Sequence, residues 1–216
     1  MISENLKKRL FTSIALLFSI FLIFNYSLFL IYFLIILGVL SILEFIQLSK
    51  KIFNNRTGLI LINFFFIFYI FAFCYMFFFF SNFKGLKILL YIFLLGCIAS
   101  DIGGFIFGKI FKGPRLTKIS PNKTYAGALG SITLTLPTIL FLFYYFTQSL
   151  NIKILVIALM TSIFCQLGDL LFSYLKRKAK VKDTGNILPG HGGVLDRLDG
   201  IIFAIPISFL TLVLIN

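Results

Sequence analysis

The sequence predicts an all-α polytopic membrane protein with about seven transmembrane helices, and three observations carry this prediction. Hydrophobic residues make up 60% of the 216 residues and charged residues only 12%, whereas soluble domains carry about 25% charged residues. The mean hydropathy is +1.05. Four long runs contain no formal charge, and about 20 apolar residues suffice to cross a bilayer core. These runs are residues 10–43, 57–83, 124–152 and 200–216.

Seven spans follow from these runs and from the polar residues between them. The first uncharged run is long enough for two passes, with Asn25 and Tyr26 at the hairpin. The basic N-terminus resembles a secretory signal, but no small-residue cleavage site follows, so we expect a retained first helix. The predicted spans are residues 10–24, 26–46, 58–80, 86–107, 125–146, 153–174 and 197–216.

The basic residues predict the orientation of these spans. All of the 20 basic residues except Lys84, Lys87 and Lys153 fall on one side of the membrane. Because cytoplasmic loops are rich in Lys and Arg, we expect a cytoplasmic N-terminus and a C-terminus on the opposite side. The same bias explains the net charge of +13 without a nucleic-acid partner. We therefore expect an integral protein of the cell inner (cytoplasmic) membrane, in contact with the lipid bilayer.

The loops between the spans are too short for a soluble domain. We expect N-terminal membrane helices in residues 1–84 and a catalytic membrane domain in residues 85–216, with cytoplasmic loops at 108–124 and 175–196. Small residues at the spacing of close helix contacts indicate either packing within one chain or the seam of a homodimer. They are Gly104, Gly108, Ala126, Gly127, Gly130 and Ser131.

Residues 168–200 form the one long polar passage of the chain. They hold four of the seven acidic residues and the single histidine. Asp169 lies in the predicted sixth span, and Asp101 lies in the fourth. An ionisable residue at the centre of a span costs about 2.5 to 3.5 kcal/mol on insertion scales. Each carboxylate therefore implies a partner, which is a cation, a water-filled cleft or a neighbouring lysine.

A polar stripe is predicted on the sixth span. Asp169, Ser173 and then Lys176 or Arg177 follow at i, i+4 and i+7 or i+8, so a helix places them on one face. Carboxylates hold Mg²⁺ while Lys and Arg neutralise phosphate, so this face suits a metal-bound phosphate.

A glycine-rich turn precedes the last span. Gly192 and Gly193 let backbone N–H groups approach an anion closely. Asp196 and Asp199, at i and i+3, share one helix face and complete a cation site that Asp169 begins. The alternative is that the two aspartates only complement the positive end of the helix dipole.

Three other residues in the loops have two interpretations each. His191 is either a hydrogen-bonding residue or a general base. Lys182 and Asp183 belong either to the catalytic site or to a simple polar turn. A further loop before the fifth span offers hydroxyls and a lysine at a helix N-terminus, which makes a weak signal for a nucleotide-phosphate site. Its residues are Ser120, Lys123 and Thr124.

These residues form one long spaced pattern, S-x2-K-R-x4-K-D, a short link, and P-G-H-G-G-x2-D-R-x-D. It comprises Ser173, Lys176, Arg177, Lys182, Asp183, Pro189, Gly190, His191, Gly192, Gly193, Asp196, Arg197 and Asp199. With this pattern the sequence resembles the phosphatidate cytidylyltransferases, also called CDP-diacylglycerol synthases. Residues 44–48 resemble the E-[WYF]-x-Q-L element of that family. The resemblance is good over 88–210 and looser over 1–50, and the chain between them is shorter by about two spans.

The resemblance implies transfer of a cytidylyl group from CTP to phosphatidic acid, giving CDP-diacylglycerol and pyrophosphate for phospholipid synthesis. It implies Mg²⁺ at Asp169, Asp196 and Asp199, and it leaves room for a second cation. The phosphates would be held by Ser173, Lys176, Arg177, Lys182 and Arg197. The substrate would also meet Asp101, Ser120, Lys123, Thr124, Gly192 and Gly193. Asp183 and His191 complete the catalytic set, and the active site faces the cytoplasm.

Three alternatives remain open at this point. The nearest is a related CTP-dependent enzyme that acts on another lipid phosphate or on a lipid alcohol. A CDP-alcohol phosphotransferase also clusters Asp in a membrane bundle, but its pattern D-G-x2-A-R-x8-G-x3-D-x3-D is absent from the sequence. A channel or transporter would spread polar residues through the membrane depth, whereas these cluster towards one face.

Overall fold

The structure is a computed structural model that describes residues 18–117, 120, 123–187 and 192–215. The described residues form α-helices and no strand, with one isolated antiparallel bridge between Arg115 and Thr124. The helices are α1 (Ser27–Ile52), α2 (Arg56–Ser81), α3 (Lys84–Phe111), α4 (Tyr125–Thr147), α5 (Ile152–Lys178), α6 (Leu195–Leu198) and α7 (Ile201–Ile215). Residues 18–25 are helical as well.

Six helical segments of the described chain are long and apolar enough to cross a membrane. Five are α1 to α5, and the sixth is the segment Leu195–Ile215, which contains α6 and α7. They confirm the predicted all-α membrane fold and the predicted second to seventh spans to within a few residues. The predicted first span, 10–24, lies largely outside the described residues. The orientation of the termini stays a prediction.

Three helices run at least four residues beyond their predicted spans. α1 continues to Ile52, α3 to Phe111 and α5 to Lys178, where the predictions ended at residues 46, 107 and 174. Hydropathy marks the part of a helix that lies in the bilayer, and a helix can continue beyond it because its backbone bonds are internal. The extension keeps Lys176 and Arg177 on the same continuous helix as Asp169, as the spacing predicted.

The last span is interrupted, contrary to the predicted continuous helix over 197–216. α6 ends at Leu198, and a turn at residues 199–200 precedes α7. Gly200 packs so closely on α5 that a Cβ atom there would lie 2.7 Å from Cys165 Sγ and 2.9 Å from Cys165 O. The expectation that Asp196 and Asp199 share one helix face is therefore wrong, because α6 ends at Leu198 and Asp199 lies in the turn that follows it.

The described residues divide into two compact units. One unit holds the chain up to Ser81 together with Leu175–Leu198, and the other holds Asn82–Tyr174 with the chain from Asp199 onwards. The first contains α1, α2 and α6, and the second contains α3, α4, α7 and most of α5. The grouping differs from the predicted division into 1–84 and 85–216 at residues 82–84 and 175–198. That division stays a prediction about function.

In the first unit, α1 packs on α2 through aromatic and small residues. The rings of Phe45 and Phe66 stack with their centroids 3.7 Å apart. A Cβ atom on Gly38 would lie 3.4 Å from Cys74 Sγ. The opposite face of α2 is exposed and rich in phenylalanine, as suits a helix that faces lipid. Its exposed residues include Phe64, Phe65, Phe68 and Phe71.

In the second unit, α3 and α4 meet where both helices carry glycine. A Cβ atom on Gly130 would lie 2.7 Å from Gly103 O, and one on Gly104 would lie 2.8 Å from Ser131 Oγ. No side chain fits at these points, so the backbones approach each other directly. Of the two alternatives for the small residues, the structure shows close packing within one chain.

Buried hydroxyl groups join the helices of the second unit. Ser131 Oγ donates to Ser100 O at 2.8 Å, Ser100 and Ser162 lie 3.4 Å apart, and Thr161 and Ser208 share a bond of 2.7 Å. Hydroxyl bonds across helices in an apolar interior fix their relative position. These bonds hold α3, α4, α5 and α7 together. They therefore fix the position of α5, the helix that carries Asp169.

Candidate active site

The second unit contains an ion pair between α5 and the start of α4. Lys123 Nζ lies 2.5 Å from Asp169 Oδ2, and the two side chains are 23% and 36% exposed. The other carboxylate oxygen, Oδ1, faces Ser173 Oγ at 3.4 Å, one turn along α5. Of the partners that an aspartate in a span requires, the structure provides a neighbouring lysine. Both side chains remain within reach of a ligand.

The loop before α4 is shaped to present Lys123. Leu116 N donates to Lys123 O at 2.8 Å, and Lys123 N donates to Ser120 O at 3.1 Å. Thr124 is the N-cap of α4, because its hydroxyl accepts a bond of 3.1 Å from Gly127 N. A threonine in this position satisfies one of the unpaired N–H groups of the first turn. Thr124 therefore fixes the helix start that holds Lys123 towards Asp169.

Two further aspartates of the second unit lie near Cys165. Asp101 is exposed on α3, with Oδ1 at 3.9 Å from Cys165 Sγ. Asp199 occupies the turn before α7, where its Oδ1 accepts a bond of 2.9 Å from Gly200 N. Gly168 allows this turn to approach α5, since a Cβ atom on it would lie 3.1 Å from Gly200 Cα. Gly168 thus allows α7 to pack closely on α5, and the next residue, Asp169, carries the charge that pairs with Lys123.

The first unit contains a second, more buried ion pair. Lys176 Nζ lies 2.7 Å from Asp196 Oδ1, and the side chains are only 13% and 6% exposed. The other oxygen of Asp196, Oδ2, accepts from Thr184 N at 2.8 Å and from Gly193 N at 3.0 Å. Three donors around one carboxylate favour its ionised form. Asp196 therefore organises the loop around it as well as carrying charge.

A buried glutamate, Glu44, lies beside this loop, and the sequence prediction did not include it among the site residues. It belongs to α1 and is 2% exposed. Its carboxylate accepts from Thr184 Oγ1 at 2.9 Å, Val194 N at 2.9 Å and Leu195 N at 2.8 Å. Two signals were available: Glu44 is an acidic residue inside the predicted span 26–46, the criterion that singled out Asp101 and Asp169, and it begins the E-[WYF]-x-Q-L element.

The glycines of the loop are required by these two carboxylates. A Cβ atom on Gly185 would lie 2.6 Å from Glu44 Oε1, and one on Gly193 would lie 2.7 Å from Glu44 Cδ. Gly192 has a φ of +83°, and a Cβ atom there would lie 2.9 Å from Asp196 Oδ2. The sequence predicted that the glycines let backbone N–H groups approach an anion. In the structure the backbone of this loop approaches two carboxylates of the protein itself, Glu44 and Asp196.

The remaining predicted residues divide into exposed groups and groups outside the described chain. Four of these predicted residues are charged and exposed, and all four lie in the first unit: Arg177, Lys182, Asp183 and Arg197. They are accessible to a phosphate-bearing ligand from solvent. His191 lies outside the described residues, together with Pro189 and Gly190, so its predicted role stays a prediction.

The donor chemistry of the aspartates suits a hard divalent cation. Mg²⁺ prefers carboxylate oxygens and keeps positions for phosphate and water. A carboxylate offers about four lone-pair sites, and the bonds described above do not occupy all those of Asp169 or Asp196. In the described part of the chain, however, no three His, Cys, Asp or Glu side chains gather as a metal site. The predicted metal role of Asp169, Asp196 and Asp199 stays a prediction.

Comparison with known proteins points to the same family as the spaced pattern of residues 173–199. A model of the cytidylyltransferase family matches residues 4–215. A phosphatidate cytidylyltransferase of Staphylococcus aureus (strain COL) is 42% identical over 132 residues, which cover 60% of this chain and 50% of the relative. The protein of that name from Staphylococcus haemolyticus is 41% identical over 131 residues, with the same coverage. The chain thus spans about half the length of the curated relatives it matches.

Proposed function

Because this chain belongs to the cytidylyltransferase family, we propose that it transfers a cytidylyl group from CTP to phosphatidic acid, with CDP-diacylglycerol and pyrophosphate as products. The membership confirms the resemblance seen in the signature. The observation that carries the proposal is the presence, in each compact unit, of a lysine paired with an aspartate that the sequence analysis assigns to the site. These pairs are Lys123 with Asp169 and Lys176 with Asp196.

A lysine beside a carboxylate suits a substrate that carries phosphates and a divalent cation. The ammonium group can donate to a phosphate oxygen, and the carboxylate can accept a cation that travels with the nucleotide. In the absence of substrate each charge neutralises the other. The exposed Lys182, Arg177 and Arg197 add positive charge for the remaining phosphate oxygens.

The proposed reaction requires little proton transfer from the protein. An oxygen of the lipid phosphate attacks the α-phosphorus of CTP, a new P–O bond forms, and the bond to pyrophosphate breaks. A phosphomonoester has a second pKa of about 6, so the attacking group is already largely dianionic at neutral pH. Catalysis then rests on positioning and on neutralising charge, which are the roles that Lys123 and Lys176 can fill. Mg²⁺, when bound, would supply further neutralisation of the phosphates.

We place this reaction on the cytoplasmic side of the cell inner membrane. Support comes from the basic residues, which the predicted topology puts almost entirely on the side of Lys123 and Lys176. CTP is a soluble nucleotide, so its site must open to water, and the lysines of both ion pairs lie at helix ends next to loops.

A homodimer remains a proposal that size measurements in detergent can examine.

The direct test is turnover by the full chain in detergent or nanodiscs. The purified protein receives CTP labelled at the α-phosphate and phosphatidic acid, with Mg²⁺ or with EDTA. We expect labelled CDP-diacylglycerol only with Mg²⁺, and unlabelled pyrophosphate. A parallel reaction replaces phosphatidic acid by diacylglycerol or by a polyprenyl phosphate, and its lipid products are identified by mass, because a lipid kinase would leave the α label in CDP. Product from either of these, with none from phosphatidic acid, would overturn the proposed acceptor.

A further inference from the structure

Glu44 is a buried carboxylate of a membrane-spanning helix whose described partners all come from residues 184–195. Its two oxygens accept from Thr184 Oγ1, Val194 N and Leu195 N at 2.8 to 2.9 Å. Neither ion pair of the described chain includes it. An acidic group in a membrane span is costly unless polar partners surround it. The three donors provide those partners, so Glu44 and the loop depend on each other.

Thr184 links Glu44 to the signature aspartate. Its hydroxyl donates to Glu44, while its N–H group donates to Asp196 Oδ2 at 2.8 Å. At the other end of the segment, Gly193 N donates to Asp196 and the next residue, Val194, donates to Glu44. Both ends of residues 184–193 are therefore held by the same two carboxylates.

This arrangement fixes the register of the loop as well as its closure. Glu44 Oε1 would lie 2.6 Å from a Cβ atom on Gly185, so a side chain at this position would displace the carboxylate from its donors. Thr184 is 7% exposed, and Gly193 is buried. A shift of the loop by one residue would place a side chain against the carboxylate and remove its hydroxyl donor, Thr184.

We infer that Glu44 is a positioning residue, which joins the two ends of residues 184–193 and thereby places the signature groups on either side of them. These groups are Lys182 and Asp183 before the segment and Asp196 and Arg197 after it. The inference rests on the proposed function, since it assigns Glu44 to the binding of CTP. Glu44 acts through the loop and does not touch substrate.

The test compares Glu44→Gln with Ser41→Ala, a matched change one turn earlier in α1. Ser41 is fully buried, and among the described residues its hydroxyl has no partner. In Glu44→Gln an amide NH₂ replaces one oxygen, so at least one of the donors loses its acceptor. We expect hydrogen exchange in residues 192–198 to become about tenfold faster, with wild-type exchange in Ser41→Ala.

The kinetic readout separates positioning from a loss of folded protein. A smaller folded fraction lowers the apparent kcat and leaves KM unchanged, whereas a displaced loop weakens CTP binding. We expect Glu44→Gln to raise the KM for CTP about tenfold, in line with the loss of one hydrogen bond to a charged group. Ser41→Ala should keep the wild-type KM.

Thr184→Val provides a second variant outside the membrane span. It removes the hydroxyl, keeps the branched shape and leaves the N–H bond to Asp196. If Glu44 acts through Thr184, the double variant with Glu44→Gln should raise the KM for CTP by less than the product of the two single-variant fold-changes. A fold-change equal to that product would show that Glu44 does not act through Thr184.

The outcomes distinguish the inference from the proposed function. If the wild-type chain does not convert phosphatidic acid but Glu44→Gln speeds exchange in residues 192–198, the proposed function fails while the link between Glu44 and the loop stands. If the wild type turns over and Glu44→Gln has wild-type exchange and KM for CTP, the inference is overturned.

Discussion

Lys123 and Asp169 form an ion pair of 2.5 Å that joins the residue before the N-cap of α4 to α5. The pair is partly exposed, with side-chain exposures of 23% and 36%, whereas Lys176 and Asp196 are 13% and 6% exposed. Exposure determines how much an ion pair contributes to stability, because water screens the charges of an open pair. The two pairs should therefore respond differently to substitution.

Lys123→Gln should impair activity with little effect on stability. The substitution removes a charge that the proposed function assigns to a phosphate of CTP, and such a charge-assisted bond contributes about 1.5 to 3 kcal/mol. We expect kcat/KM for CTP to fall about tenfold to a hundredfold. The free energy of unfolding, measured by SDS titration in mixed micelles, should change by at most about 1 kcal/mol.

The control for Lys123→Gln is Lys153→Gln. Lys153 is one of the three basic residues that the predicted topology places on the opposite side of the membrane, so its loss should leave kcat/KM unaltered. Wild-type turnover of Lys123→Gln would contradict the assignment of this lysine to the nucleotide.

Asp196→Asn should destabilise the protein more than Asp169→Asn. Asp196 pairs with a buried ammonium group and also accepts from Thr184 N and Gly193 N. Loss of one partner of a buried pair costs about 3 kcal/mol or more, and loss of the exposed pair at Asp169 costs at most about 1 kcal/mol. SDS titrations of the two variants measure the difference.

Lys51→Met is the reference for the Asp196 experiment. Lys51 is exposed in the last turn of α1, in the same compact unit, and its removal should be close to neutral. Equal destabilisation by Asp169→Asn and Asp196→Asn would show that the burial of Lys176 and Asp196 has no energetic consequence.

Gly193→Ala should disrupt the loop, while Gly85→Ala should not. A methyl group at Gly193 would lie 2.7 Å from Glu44 Cδ, and overpacking of this kind costs about 1 to 3 kcal/mol. At Gly85, inside α3, a Cβ atom meets nothing within 4 Å, and alanine favours the helix. We expect a lower thermal midpoint and less CDP-diacylglycerol for Gly193→Ala alone. A wild-type midpoint for that variant would contradict the close contact.

The sequence was sufficient to predict the elements that depend on local composition. Hydropathy placed α1 to α5 because each span must bury about 20 apolar residues in lipid. Spacing along one helix placed Ser173 one turn from Asp169, and the structure shows their side-chain oxygens 3.4 Å apart. These relations involve neighbours in the chain, so a pattern suffices to find them.

The contacts between distant parts of the chain were not predictable in the same way. Glu44 and Leu195 are far apart in sequence, and no periodicity indicates that a carboxylate of one helix accepts from the N–H group of another. The turn at residues 199–200 coincides with a close contact of Gly200 with Cys165 on α5. Hydropathy does not indicate this contact, because the two residues are distant in the sequence.

The predicted orientation can be tested with one helix, α5, and one cysteine on each side of it. Asn186 and Ser149 are both exposed and lie in the loops that follow and precede this span. The basic residues predict that position 186 faces the cytoplasm and position 149 the opposite side. A membrane-impermeant maleimide should therefore label Ser149→Cys in intact cells and Asn186→Cys only after permeabilisation.

The labelling requires a background in which the native thiols do not react. Cys97 and Cys165 are buried and Cys74 is partly buried, so a variant with all three replaced by alanine gives the baseline. The reverse pattern would place the proposed CTP site on the wrong side of the membrane for a cytoplasmic nucleotide. Labelling of both positions from one side would show that α5 does not cross the bilayer, since a single span must separate its two ends.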